Sequence, residues 1–380
     1  MAKLGDIATI QSGGTPARSI AEYWEDGTIP WVKISDIKSK HLNQTEEMIT
    51  EAGLENSSAK IFPKGTILYT IFATLGETSI LDINAATNQA IAGISITDSR
   101  VLPDYLYYYL LSQKIHVQKI GRGVAQNNIN MKLLRDFDVP LPSKEAQLNI
   151  IEQLNRVTEL LFLRKQQLTK LDELIKARFV EMFGDPKLNP CRFPCNSLST
   201  YITFLTSGSR GWSQYFTDSG EYFITIKNVK NCKITLQDVQ YVTPPDNAEA
   251  KRTKVQKNDL LISITADLGR TGVVTEEIAN NGAYINKHLT CIRLKDEQVN
   301  PLYVAYYMES DAGKEQFTAK NQSAVKAGLN FNAINSLKLM VPPLSLQNQF
   351  AAFVAEVDKS KLLAELFAQS TCILAENRSK

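Results

Sequence analysis

"FDVPLPSKEAQLNIIEQL" (Phe137 to Leu154) and "LKLMVPPLSLQNQFAAFV" (Leu337 to Val354) write one phrase twice: a short apolar alternation, prolines, a serine and a glutamine-bearing run. In the first copy Phe137, Val139 and Leu141 alternate as a strand does, Pro140 and Pro142 forbid a helix from starting there, and Ser143 is placed to cap the helix that follows. Leu337, Leu339, Val341, Pro342, Pro343 and Ser345 repeat that chemistry. The phrase therefore predicts, at two places, a strand that stops and hands over to a long helix.

The repetition extends outward from the phrase in preserved order. "IPWVKISDIK" (Ile29 to Lys38) is echoed by "EYFITIKNVK" (Glu221 to Lys230), and "FPKGTILYTIFATLGETSI" (Phe62 to Ile80) by "VQKNDLLISITADLGRTGV" (Val255 to Val273). "LPDYLYYYLLS" (Leu102 to Ser112) matches "NPLYVAYYMES" (Asn300 to Ser310), and "NNINMKLLRDF" (Asn127 to Phe137) matches "LNFNAINSLKL" (Leu329 to Leu339). Repeats this long are duplicated domains rather than solenoid units. Each contains β-rich runs that end at Gly76 and Gly269, then a tyrosine-bearing helical stretch. Tyr105, Tyr108, Tyr109 and Ser112, like Tyr303, Tyr306, Tyr307 and Ser310, sit at helical spacing and read first as a core face, a base-stacking platform being the other reading.

Past Ser143, Leu154, Val157, Leu161, Leu168, Leu171 and Ile175 recur at three- and four-residue steps, interrupted by Arg164. Past Ser345, Phe350, Phe353, Val357, Ala364, Phe367 and Leu374 do the same. Both patterns predict coiled-coil seams that bury most simply against one another. From Ser143 to about Val180 the first helix would span roughly 55 Å. "GDPKLNPCRFPC" (Gly184 to Cys195) ends it with a glycine and three prolines and reads as the linker. The expected fold is mixed α/β (α+β): a domain over 1–142, a helix over 143–183, a linker over 184–196, a second domain over 197–342 and a second helix over 343–380.

At 380 residues, 43% apolar and 22% charged, the chain has the composition of a well-packed multidomain protein. A formal net charge of +2 requires any basic surface to be local. Five cysteines and the lack of a signal-like start or an eighteen-residue apolar run lead us to expect a cytoplasmic protein. Cys191 and Cys195 have no second pair, and His41, His116 and His288 are scattered, which argues against zinc.

The paired "VPLPSKEAQ" and "VPPLSLQNQ", together with "SGGTP" (Ser12 to Pro16) and "IPW" (Ile29 to Trp31), give the chain its resemblance to the specificity subunits of type I restriction-modification systems. That resemblance covers essentially the whole chain. It implies two target recognition domains, each reading half of a split site in double-stranded DNA. It also implies two antiparallel spacer helices that dock two methylation subunits, with restriction motor-nuclease subunits completing the complex. Half-sites one turn apart lie about 34 Å from each other, within the reach of such a rod. "TSGSRGW" (Thr206 to Trp212) stands where the first unit has "QSGGTPARS" (Gln11 to Ser19), so the two domains are expected to read different bases.

Phosphates and base edges are contacted by Arg, Lys, amides, hydroxyls and exposed backbone N–H groups. In the first unit the candidate DNA contacts are Gly13, Gly14, Thr15, Arg18, Lys33, Ser35, Lys38, Thr70, Thr74, Arg122, Asn127 and Asn128. In the second they are Ser207, Ser209, Arg210, Lys227, Asn228, Lys230, Thr265, Asn286, Lys287 and Asn330. Each has a plainer reading as a turn, cap or solvated group.

Catalytic signatures do not emerge. "VTPPDN" (Val242 to Asn247) lacks the acceptor and aromatic ring of a flipped-adenine loop, and "SGGTPARS" lacks the lysine of a phosphate-binding loop. Asp172, Glu173 and Lys176 read as a solvated helix face. The expectation is a chain without catalysis or cofactor; the alternatives are a free-standing two-domain DNA-binding regulator and a coiled-coil scaffold.

Overall fold

The structure, a computed structural model, describes residues 1–121, 128–321 and 328–378, with side chains at the last helix described as far as Ala364. Arg122 and Asn127, and the side chains of Phe367 and Leu374, lie outside the described residues. The chain is mixed α/β and forms two compact units, one built mainly from Met1–Phe162 and the other from Leu163–Ser370.

In the first unit a five-stranded sheet runs in the order Ala8–Ser12, Ile91–Ile96, Ile67–Thr70, Thr78–Leu81, His41–Leu42. Its pairs are antiparallel except the last. The strand Ile67–Thr70 is buried at every position because both its faces are covered. Ile67 and Tyr69 pack into a core with Leu106 and Leu110 of the helix Pro103–Ser112, whereas Leu68 packs with Val32, Phe62 and Leu81 on the other side. That double burial explains an uninterrupted apolar run where a half-exposed strand would alternate. A second, four-stranded sheet contains Glu47–Ile49, Ile29–Val32, Ala85–Thr87 and Ile61–Phe62.

The second unit repeats this plan. Its first sheet has the order Ile202–Ser207, Leu289–Leu294, Leu260–Ser263, Thr271–Val273, and its second the order Phe216–Thr217, Gln240–Val242, Glu221–Ile224, Ala283–Ile285. Leu260 and Ile262 face one core and Leu261 the other. Each second sheet contains one parallel pair, Trp31 against Ala86 in the middle of the first unit's sheet and Phe223 against Tyr284 at the edge of the second unit's.

Each unit is closed by its first strand pairing with the strand that precedes the long helix. Ala2–Lys3 runs antiparallel to Asp138–Val139, and Cys195–Ser197 runs antiparallel to Lys338–Met340. The strands of the repeated phrase are thus shorter than the apolar alternation predicted, since a proline at 140 or 342 has no N–H to extend the ladder. The expected linker also ends early: Cys195 and Asn196 are already in the sheet. Before it, Gly184 terminates the long helix at φ +74°, with its amide donated to the Val180 carbonyl at 2.8 Å.

The tyrosine helices hold these closing segments as core elements. Tyr105 donates its hydroxyl to the Pro140 carbonyl at 2.9 Å and Tyr109 to that of Asp138 at 3.1 Å; Tyr303 donates to the Met340 carbonyl at 2.8 Å. The long helices are Lys144–Phe183 and Leu344–Arg378. Within the second unit they run antiparallel: Phe350 lies edge-on to Phe179 at 5.3 Å, Arg178 sits 5.7 Å from the Phe353 ring, and Lys361 pairs with Asp172. Ile175, Phe350, Val357 and Ala364 are buried along this contact and Leu171 and Phe353 partly so; Leu154, Val157, Leu161 and Leu168 are half-buried on the same stripe of the first helix. Phe179 and Phe183 join the buried face and were not among the predicted seam residues.

Candidate nucleic-acid interface

A tight hairpin recurs in both units with the same hydrogen bonds. In the first, the buried Thr70 hydroxyl donates to the Thr74 carbonyl and accepts the Glu77 amide at 2.8 Å, while the Gly76 amide reaches the Thr70 carbonyl at 3.0 Å. In the second, Ser263 donates to the Asp267 carbonyl and accepts the Arg270 amide at 2.9 Å, and the Gly269 amide reaches the Ser263 carbonyl at 3.0 Å. Ala73 and Ala266 both sit at φ +57°, followed by Gly76 at +84° and Gly269 at +80°. Two alanines held in the left-handed region are the kind of strain that tertiary structure has to impose. Thr70 is therefore a buried part of the turn, whereas Thr74 is exposed at the tip.

The glycine-rich entry loops are also structural. Gly13 and Gly14 are buried and donate their amides to the Ile91 and Thr87 carbonyls at 3.2 and 2.8 Å. A Cβ on Gly13 would lie 2.2 Å from the Thr87 carbonyl oxygen, and one on Gly14 2.3 Å from the Ser58 carbonyl carbon, so both are glycine to let backbones approach. Gly208 and Ser209 repeat the pattern against the Leu289 and Ile285 carbonyls at 3.1 and 2.8 Å. Ser209 is 2% exposed, its hydroxyl 3.0 Å from that of Thr253. Asn228 is 3% exposed and receives the Thr225 amide at 3.0 Å as a cap. Gly13, Gly14, Thr70, Ser209 and Asn228 thus have inward-facing polar groups that are engaged within the fold.

The remaining candidates fall into two groups. Arg18 and Lys33 are held by Glu47, at 2.5 and 2.8 Å, and Lys33 also by Glu46 at 2.9 Å. Arg18 further lies 3.7 Å over the Trp24 ring. The hydrogen bond from Lys33, with Arg18 adding to it, keeps the Glu47 carboxyl below the usual carboxylate range; Glu47 and then Glu46 hold Lys33 above the usual lysine range. Thr15 bonds Gln89, Asn286 accepts the His288 amide at 3.1 Å, and Asn330 caps the helix Phe331–Asn335 through the Ala333 amide at 2.8 Å. Ser207 uses its carbonyl to receive Arg252 at 2.9 Å.

The second group is exposed. Ser35, Lys38 and Thr74 in the first unit, and Arg210, Lys227, Lys230 and Lys287 in the second, are solvent-facing, and none of these cations has an ion pair among the described residues. Asn128 and Thr265 are half-buried and lie at the base of the two hairpin tips, in bridges Phe72 to Asn128 and Thr265 to Gly328. Glu47 is the residue the sequence reading missed; no local spacing connects it to Arg18 or Lys33.

Other motifs resolve as structure. Asn247 of "VTPPDN" caps the helix Ala248–Thr253 through the Ala250 amide at 2.8 Å, Asp172 pairs with Lys361, and Glu173 with Lys170 at 2.8 Å. Cys191 and Cys195 are exposed free thiols, and among the described residues no three His, Cys, Asp or Glu converge on a metal position. No helix among the described residues is long and apolar enough to cross a membrane.

A family model described as the type I restriction modification DNA specificity domain matches residues 1–173 and 213–368. The specificity subunit of the type I restriction enzyme MjaIX of Methanocaldococcus jannaschii is 31% identical over 188 residues, 48% of this chain and 43% of that one. The match thus spans less than half of that curated relative. Among solved structures, the type I restriction-modification S subunit of M. genitalium shares the fold at a TM-score of 0.52 and 15% identity, over 99% of this chain and 93% of its own. A chain from a structure of type I restriction-modification complex assembly and conformational transition does so at 0.58 and 16%, with the same coverage. With the family model matching most of its length, the chain belongs to the type I restriction-modification DNA specificity family.

Proposed function

We propose that the chain is the DNA sequence-specificity subunit of a type I restriction-modification complex, itself without catalysis, acting in the cytoplasm. Each unit reads one half of a bipartite site in double-stranded DNA, and the long helices set the unread spacer and dock two methylation subunits, with restriction motor-nuclease subunits as further partners. The observation that carries this reading is the duplication down to single hydrogen bonds: two units with one frame, each ending in its own long helix, suit a target written as two words. The divergent exposed groups, Lys38 and Thr74 against Arg210, Lys227, Lys230 and Lys287, suit two different words.

Methylome sequencing of host cells with and without the chain tests the proposal. The expected result is a split motif methylated only when the chain is present, together with co-purification of a methyltransferase. Tight, salt-dependent binding of a contiguous site by the isolated chain would favour a free-standing regulator, and no salt-dependent DNA affinity would favour a scaffold.

A further inference from the structure

The hairpin tips combine an invariant frame with different residues. Around the tip of the first unit the Ile71 amide bonds the Ala90 carbonyl at 2.9 Å and the Ile129 amide bonds the Ile71 carbonyl at 3.1 Å. The second unit answers with Ile264 to His288 at 3.0 Å and Leu329 to Ile264 at 2.9 Å. By these bonds Phe72 corresponds to Thr265, and Ala90 to His288, in the two repeats. The first unit thus carries the apolar Phe72 and Ala90 where the second carries a polar pair, the Thr265 hydroxyl 2.6 Å from His288 Nδ1.

Phe72 is 44% exposed although its neighbour Ile71 is buried, and it precedes the left-handed Ala73. Folding gains little from an aromatic ring left in water, and a left-handed alanine costs backbone energy. Both units nevertheless keep this turn, so the frame fixes the backbone of whatever residue stands at position 72 or 265 beside the tip. We infer that this position determines base preference and that Phe72 contacts the C5-methyl group of a thymine in the major groove of the first half-site. The C5-methyl is the one apolar group on a base edge there, and an apolar ring has no hydrogen bond with which to read any other. In the second unit Thr265 and His288 present hydrogen-bonding groups at the same place, so that word is read there through a polar base edge.

The inference rests on the specificity-subunit reading, and its test separates the two. Once methylome sequencing has identified the split motif, each thymine of the first half is replaced in turn by deoxyuridine, which lacks only the methyl group. Affinities are measured for the native complex carrying wild-type chain, Phe72→Ala or Phe72→Leu. The wild-type complex should lose about fourfold at one thymine, the worth of one buried methyl. Phe72→Leu should keep that loss, and Phe72→Ala should bind the thymine and deoxyuridine sites alike. Each protein is its own reference, so a lower folded fraction in a variant does not alter the ratio; should Phe72→Ala not fold, Phe72→Thr, the residue of the other unit, replaces it. A wild-type complex indifferent to deoxyuridine at every first-half position, or a ratio unchanged in Phe72→Ala, overturns the inference. Absence of any split motif fails the underlying reading instead.

Discussion

Gln147 accepts the Leu102 amide at 3.0 Å through Oε1 and donates through Nε2 to the carbonyls of Arg100 and Pro142, at 2.9 and 3.0 Å, from a fully buried side chain. Gln347 does the same for the second unit, accepting the Asn300 amide at 2.9 Å and donating to Pro342 at 2.7 Å. The glutamine of the repeated phrase is thus a bolt. It ties the start of the tyrosine helix to the first turn of the long helix, so that each unit and its own helix form one piece.

Replacing either glutamine by leucine would keep the volume and strand two or more buried polar groups. Gln147→Leu and Gln347→Leu should each cost about 2–4 kcal/mol, the penalty for orphaning a few buried donors and acceptors. Urea unfolding with a probe in each unit should show the loss in the unit that carries the change. A cost under about 0.5 kcal/mol, the range of neutral surface substitutions, would show that water replaces the amide without penalty.

In the second unit Phe350 is completely buried between Phe179 at 5.3 Å, Phe183 at 5.7 Å and Tyr306 at 5.2 Å, all edge-on. Removing the ring opens a cavity that three aromatic neighbours cannot close together. Phe350→Ala should destabilise the second unit by about 3–5 kcal/mol, and Leu174→Ala, at an exposed position of the first helix, by under about 0.5 kcal/mol. Equal effects in thermal unfolding would contradict the packing.

How far the residues alone reveal this arrangement depends on whether the cause is local. The bolt glutamines and tyrosine faces recur at the same offsets in both repeats, which makes the duplication legible. Phe179 and Phe183 escape a seam read at alternating three- and four-residue steps, because beyond Ile175 the buried positions advance by two fours in succession as the helix meets a broad core in place of one narrow partner. Thr70 and Asn228 look like loop contacts, since nothing in a hydroxyl or amide side chain tells whether it faces water or caps its own turn. Glu47 is invisible for the opposite reason: its partners at 18 and 33 are brought to it only by the folded sheet.

The four cysteines among the described side chains divide by environment. Cys232 and Cys291 are buried; burial, followed by Glu309 for the first and Asp259 for the second, pushes both thiols well above the ordinary value. Cys191 and Cys195 are exposed. A thiolate reagent at pH 8 should modify Cys191 and Cys195 in the native protein and reach Cys232 and Cys291 only after denaturation. Peptide mass spectrometry reads this directly, and early labelling of Cys291 would show that the second unit opens around Asp259.

Asp259 itself is fully buried and holds Arg293 with two bonds of 2.8 Å while accepting the Gln256 amide at 2.8 Å. Taking the carboxylate away leaves the inner side of a guanidinium without its counter-charge. Asp259→Ala should therefore cost about 2–4 kcal/mol, below the range for a fully buried pair because Arg293 retains some solvent. The double change Asp259→Ala with Arg293→Met removes the orphaned cation and should recover most of the loss in urea unfolding. No recovery would mean that the Gln256 amide, and not the ion pair, is the essential partner.

Glu47 sits between two of the cations of the first unit, Arg18 and Lys33. Its folded carboxyl titrates below its unfolded value, so the stability it supplies is complete above about pH 5, where the unfolded carboxyl is ionised. That stability is lost as pH falls through the folded value. At neutral pH Glu47 and Glu46 together neutralise Arg18 and Lys33, which opposes any role for them on DNA. Glu47→Gln should release Arg18, while Lys33 keeps Glu46, and steepen the dependence of log affinity on log salt by about 1 unit, near 0.9 for each phosphate newly contacted. The matching change in the second unit, Arg210→Ala, removes an exposed cation and should flatten the slope by about 1. Salt titrations of the native complex on a fixed duplex distinguish the outcomes: a slope unchanged by Glu47→Gln would mean that Arg18 serves the loop around Trp24 and never reaches the nucleic acid.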